Sequence, residues 1–196
     1  MIEAGFLPPG VLEGFGLRLE PYSAANRDEV GAALDCDPEA WRLFSVNGRG
    51  EAFAAWWTGA LAEASLGERL AYAIRDLSSG QVVGTTSFLA IRRAHRGVEI
   101  GATFLHPEAR GGRVNPAAKL LMLEHAFGSG AVRVELLTDL RNLRSQAAIA
   151  KLGALREGVL RRHKITWTGY VRDTVVFSII ADDWPNAKAG LEARLP

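Results

Sequence analysis

Apolar and polar residues alternate over positions 16–20 (GLRLE), the period-two pattern of a short strand. The pattern then lengthens. Ser23 precedes a helix expected over 24–34, and 38–44 and 51–64 read as further helical pieces on either side of the turn-prone VNGRG. Alternation returns at 70–75 and, after the Ser78-Ser79-Gly80 turn, in the β-rich run 81–91, so these two runs predict a hairpin. Residues 98–105 (VEIGATFL) predict another strand. The loop HPEARGGRVN follows, and then the helical stretch PAAKLLMLEHAF, in which Leu120, Leu123 and Phe127 share one face. Gly128 and Gly130 stop that helix, and Val132, Val134 and Leu136 alternate as a further strand. Residues 142–152 predict a helix closed by Gly153, and 157–165 with 171–180 predict a last hairpin around WTGY.

Strands with helices inserted between them point to an α/β or α+β sheet, and 196 residues suit one substantial domain. Composition narrows the class. Hydrophobic residues make up 48%, enough for a buried core. The 23 basic and 22 acidic side chains nearly cancel, which argues against a protein built to grip nucleic acid. The single cysteine, Cys36, excludes an internal disulfide and a multi-cysteine metal site, and fits a reducing compartment. No secretion signal or long apolar run is evident, so a cytoplasmic globular protein is expected.

The loop Arg110-Gly111-Gly112-Arg113-Val114-Asn115 runs into Pro116. Asn is a good helix cap, and Pro suits the first turn, where no acceptor awaits its missing N–H. Paired glycines let the backbone turn tightly and approach a ligand. Free N–H groups and the positive dipole end favour an anion, and Arg110 and Arg113 add fork-shaped donors for phosphate oxygens. Taken alone, the loop reads equally well as an ordinary capped helix start with two solvated arginines.

The tract VRVELLTDLRNLRSQAAIAKLGALREGVLRRH, followed by VRDTVVFSIIADDW, supplies context. Over residues 70–184 the chain resembles the GNAT superfamily of acyltransferases, and within it the RimJ/RimL-like, ribosomal-protein-alanine N-acetyltransferase type. The resemblance implies one GNAT-like domain over 1–196, a twisted, mostly antiparallel mixed sheet with helices on both faces. It further implies substrate-side helices at 24–66, an acetyl-CoA-binding core at 98–153 and a C-terminal hairpin at 156–180. In this superfamily a strand leads into a loop of pattern Q/R-x-x-G-x-G/A whose amides hold the acetyl-CoA pyrophosphate. Arg110 takes the first position here, while Arg113 and Asn115 replace the two later glycines and Gly111 and Gly112 lie upstream. By resemblance, the strand end with Phe104 and Leu105 would pair with pantetheine. Arg110, Gly111, Gly112, Arg113, Val114 and Asn115 would hold the pyrophosphate.

Acetyl transfer to an amine needs a neutral amine, close approach, donors for the developing oxyanion and a proton for the departing thiolate. An α-amino group, with a pKa of about 7.7–8.0, is neutralised more easily than a lysine at about 10.4. Asn142 and Ser145 lie three apart on one helix face. The resemblance implies that Asn142 contacts pantetheine and that Ser145 lies near the sulfur, to protonate the thiolate. Their residue types equally suit an N-cap and a backbone-bonded serine. Glu99 is the expected base, since some GNAT members use an acidic residue in this strand, often through water; an ion-paired or surface carboxylate is the alternative. RimL-type enzymes carry a glutamate seven residues after the Glu-Gly pair, and counting from Glu157-Gly158 reaches Lys164 instead. His163, beside it, has an unperturbed pKa suited to proton transfer near neutrality. Asp173 matches an aspartate of the last strand, or else positions the hairpin. The run Arg161-Arg162-His163-Lys164 would divide between two faces of a strand. Trp41, Phe44, Trp56 and Trp57 fall where the family's helices flank the acceptor groove, although adjacent Trp56 and Trp57 cannot both point directly inward from one helix.

The expected function is acetyl-CoA-dependent transfer of acetyl to a primary amine, with a protein N-terminal amine as preferred acceptor. The alternatives are a small-molecule amine (an amino acid or aminoglycoside), a lysine side chain, a non-catalytic acyl-CoA-binding module, and an RNA- or ribosome-associated protein using the 161–164 patch. Expected partners are acetyl-CoA as cosubstrate and the amine acceptor, with a homodimer as one available assembly. No metal, membrane or nucleic-acid partner is expected.

Overall fold

The alternating runs become eight strands in the computed structural model: β1 (Leu12–Gly14), β2 (Leu17–Pro21), β3 (Leu70–Asp76), β4 (Val82–Arg92), β5 (Gly97–Leu105), β6 (Arg133–Asp139), β7 (Leu155–Ile165) and β8 (Val171–Ile180). Residues 5–195 are described, so positions 1–4 and 196 of the expected domain lie outside them. The strands form one sheet in the order β1-β2-β3-β4-β5-β6-β8-β7. Every neighbouring pair is antiparallel except β5 and β6, which run parallel. The α-helices among the described residues are α1 (Arg27–Leu34), α2 (Pro38–Trp41), α3 (Phe53–Ser65), α4 (Val114–Gly128), α5 (Leu143–Ala150) and α6 (Trp184–Glu192). None is long and apolar enough to cross a membrane. This is the mixed α/β sheet that the resemblance implied.

Alternation along the strands sends two sets of apolar residues to two cores. On one face Leu17, Leu19, Tyr72, Ile74, Phe88, Val98 and Ile100 meet Leu120, Met122 and Leu123 of α4, joined by Ile149 of α5 and Leu191 of α6. Full burial of each such side chain contributes about 1.5–3 kcal/mol, so α4 is held by its apolar stripe more than by helix propensity. On the other face α1, α2 and α3 bring Val30, Leu34, Trp41, Trp56 and Trp57 against Ala73 and Phe104. Trp56 and Trp57 are both buried although they are neighbours on α3, because each finds its own wall. Trp57 stacks on Tyr22 at 4.2 Å and Trp56 meets the edge of Trp41 at 5.4 Å.

Two elements carried no readable periodicity. Strand β1 has three residues, too few to alternate, and α6 begins at Trp184-Pro185 within a short polar stretch. Asn142 caps α5 as its residue type implies, with Oδ1 accepting from the Ser145 amide at 3.0 Å. Helix α4 differs from expectation: it starts at Val114, so Asn115 is not its cap and Pro116 falls third in the helix. The N–H at that position has no intrahelical acceptor either, so proline is still accommodated.

Candidate active site

Parallel pairing between β5 and β6 stops early. Only Gly97, Val98 and Glu99 pair with Arg133, Val134 and Glu135, and beyond them the two strands diverge. One edge of β5 past Glu99 therefore presents unpaired backbone groups to an open wedge, and an extended ligand can add there as a strand would. The cause lies partly in β5 itself. Thr85 pairs with Phe104 and Ser87 with Gly101, so β5 holds one extra residue, and Ala102 sits in it at φ 47°. This bulge reverses the alternation. Ile100 faces the α4 core, whereas Phe104 faces the α2 side and stacks on Trp41 at 4.7 Å. A bulge also turns backbone donors out of the ladder, here at the apex of the wedge.

The loop that follows β5 also carries free amides. Among the described residues no acceptor takes the N–H of Gly111, Gly112, Arg113, Val114 or Asn115. Gly111 adopts φ 79°, a conformation glycine reaches without strain. Five free donors at the head of a 15-residue helix form a cradle for an anion. The two arginines act differently from a simple phosphate clamp. Arg110 is ion-paired with Asp37, donates from Nε to the Leu105 carbonyl at 2.8 Å, and lies over the Phe104 ring. Arg113 grips both oxygens of Asp76 at 2.8 and 2.9 Å and donates to the Phe15 carbonyl at 2.9 Å. These bonds fasten the loop to α2 on one side and to β3 on the other. Arg113→Ala should accordingly lower thermal stability by about 1 kcal/mol and weaken an anion bound in the cradle. An unchanged melting temperature would show the bidentate pair to be inert.

The residues singled out for chemistry lie on four different elements, Glu99 on β5, Ser145 on α5, His163 on β7 and Asp173 on β8. Ser145 is half-buried in the first turn of α5, its amide held by Asn142. Glu99 lies on the α2 side of β5, and its Oε1 is 2.7 Å from where a Cβ on Gly101 would stand. Its carboxyl thus runs along the strand toward the bulge, over the one residue type that leaves it room. Burial pushes the Glu99 pKa up, opposed by Lys164, Arg172 and Arg92 and reinforced by Glu135, and no hydrogen bond to the ionised form offsets this. His163 is exposed on β7, its pKa pushed down by burial and by the charges of Lys164 and Arg172. Asp173 accepts from the Arg162 amide at 2.7 Å, where β7 bulges with Arg162 at φ 50°. That bond fixes the hairpin.

Several residues without a sequence signal complete the site. The tip of the β7–β8 hairpin is tied to the end of α2 and the segment after it, as Trp167 donates from its backbone to Ser45 O at 3.0 Å and from Nε1 to Trp41 O at 2.9 Å. Asp139, fully buried at the end of β6, holds Arg141 through three bonds, and the Arg141 guanidinium lies 3.5 Å from the centre of the Tyr170 ring. Arg172 is 7% exposed and turns to the same side as Asp139. On the opposite face Lys119 of α4 is buried beneath the bulge, its Nζ bonded to Thr103 Oγ1 at 2.5 Å and Thr86 Oγ1 at 3.1 Å. Burial alone brings its pKa down to about 7.

The sequence profile described as an acetyltransferase (GNAT) domain matches residues 16–155. No curated protein is significantly similar in sequence. Among solved structures, a T. thermophilus protein assigned as an acetyltransferase superposes with a TM-score of 0.86 at 39% identity, over 96% of this chain and 98% of its own. A GCN5-related N-acetyltransferase from Brucella melitensis gives 0.87 at 28% identity, over 96% of this chain and 87% of its own. Mycobacterium smegmatis RimJ in complex with CoA-disulfide gives 0.78 at 24% identity, over 94% and 92%, a likeness of fold alone.

Proposed function

We propose, from the premise that the chain belongs to the GNAT acetyltransferase family, that it moves acetyl from acetyl-CoA to a primary amine by direct attack in a ternary complex. The observation that carries this reading is the run of five unpaired amides at the head of α4, beside the unpaired edge of β5. The pyrophosphate sits on those amides, and Arg110 and Arg113 hold the cradle in shape. Pantetheine lies along the strand edge past Phe104 and Leu105, which brings the thioester to the bulge at Ala102. Donors freed there meet the oxyanion as it develops. Glu99 receives the proton of the attacking amine, directly or through water, and burial raises its pKa, the direction that strengthens it as a base. Ser145 returns a proton to the thiolate. The preferred acceptor is an α-amino group, such as a protein N-terminal amine, which needs only a modest base.

Thiol release from acetyl-CoA, followed with a panel of peptides and small amines, tests this. Release that depends on an amine is expected. Tight CoA binding without turnover on any amine would instead make the protein an acyl-CoA-binding module. Ser145→Ala should lower kcat about tenfold with the CoA dissociation constant unchanged, as removal of one proton donor does. Equal turnover would remove Ser145 from the mechanism.

A further inference from the structure

At the start of β8 lies a buried charge with no bonded carboxylate among the described residues. Arg172 donates from Nε to Thr174 Oγ1 at 3.1 Å and from Nη1 to Ser45 Oγ at 3.4 Å, both neutral hydroxyls. Among the described residues no carboxylate lies within ion-pairing distance of it, although it is 7% exposed. Lys164, its register partner on β7, adds a second positive charge. The two carboxylates whose charge acts on Arg172 do not balance this: Asp139 is engaged with Arg141, and Glu99 bonds no cation among the described residues. A buried guanidinium normally finds an anion, because leaving it unpaired is among the more costly arrangements in a protein interior. Asp139 and Glu99 act on Arg172 only from beyond ion-pairing distance, which leaves its guanidinium able to take an anion from outside the chain.

We infer that the acceptor is itself a zwitterion: its amine lies toward Glu99, and a carboxylate a few bonds away is held by Arg172 with help from Lys164. This rests on the reading of the chain as an acetyltransferase whose acceptor meets Glu99, and sharpens it from any primary amine to an α-amine bearing a carboxylate. The Arg172 fork matches a carboxylate, whereas the doubly charged phosphate group would meet Glu99 at close range. Two sources supply such an acceptor: a free amino acid, or a peptide N-terminus with an acidic side chain in its first residues.

The test compares matched acceptors with wild-type, Arg172→Met and Arg172→Lys proteins: glycine and glutamate against their carboxamides, and peptides with Glu or Gln as second residue. Wild-type kcat/KM should favour the carboxylate at least about tenfold, mainly through KM, which corresponds to roughly 1.4 kcal/mol of recognition. In Arg172→Met the preference should collapse to about twofold while turnover of the carboxamide persists, and Arg172→Lys should restore part of it. A preference seen with free amino acids and absent from peptides identifies the first source, and the converse the second; either upholds the inference. Equal kcat/KM for acid and amide in the wild-type protein overturns it and leaves acetyl transfer standing. Calorimetry of N-acetylglycine and its amide on the CoA-loaded protein gives a reading independent of turnover. Arg172-dependent binding of the acid upholds the anion site even if no amine reacts, and equal binding of the two rejects it. Should Arg172→Met fail to fold, the wild-type comparison and Arg172→Lys decide.

Discussion

Glu99→Gln should reduce kcat about a hundredfold near neutral pH with the affinity for CoA unchanged, the loss that follows removal of a general base. The pH dependence discriminates further. A base acts when deprotonated, and burial raises the pKa of Glu99, so the wild-type rate climbs as pH rises through that raised value. Glutamine has no proton to lose, and the variant should lack this limb, keeping only the ionisation of the acceptor amine. The kcat/KM profile of both proteins with one acceptor reads this directly. A profile identical to wild type would send the proton elsewhere, with His163 the next residue to replace.

Lys119→Met should make the protein more stable, by about 1–4 kcal/mol at pH 6, the range seen when buried charges give way to apolar groups of similar volume. The amine sits among Thr86, Thr103 and Met122 with no carboxylate beside it. Its removal strands no hydroxyl, because Thr86 Oγ1 and Thr103 Oγ1 already lie 2.8 Å apart and bond one another. The sign follows from the lysine's pKa, about 7 when folded against 10.5 when free. Between those values the unfolded chain binds more protons, so wild-type stability rises with pH across that window. Below pH 7 both states are protonated and the full cost of the buried charge is present. The advantage of methionine should therefore be largest in mild acid and fade toward pH 10. Thermal melts at several pH values measure it, and a variant less stable than wild type at pH 6 would show that the ammonium is well satisfied where it lies.

Local signals carried much of this fold. Alternation located every strand but β1, and the Asn142 cap was legible because its hydrogen bond spans only three residues. The arginines of the loop illustrate what was not. Their spacing before a helix reads as a phosphate clamp, yet the partners that occupy them, Asp37 and Asp76, lie 73 and 37 residues away. Those contacts also move the start of α4, since Arg113 is drawn to Asp76 instead of leaving Asn115 to cap the helix. The bulge was equally hidden. Ala102 adopts φ 47° although alanine has no preference for it, so the reversal that turns Phe104 from one core to the other leaves no mark in VEIGATFL. Arg172 likewise carried no signal of its own within the predicted strand 171–180; only the fold shows it buried, with hydroxyls as its bonded partners among the described residues.

The inward engagement of Arg110 and Arg113 bears on how cofactor binding responds to ionic strength. Charged side chains that face a ligand attract it over distances comparable with the Debye length, about 8 Å at physiological salt, and lose that attraction as salt rises. Amide dipoles act only at contact and release few counterions. On the proposed reading, a nucleotide tail resting on five backbone N–H groups, with both neighbouring guanidiniums already neutralised by aspartates, would be gripped through short-range geometry. Its affinity should hold nearly level from dilute buffer to concentrated salt, while capture of an anionic acceptor by Arg172 and Lys164 should not.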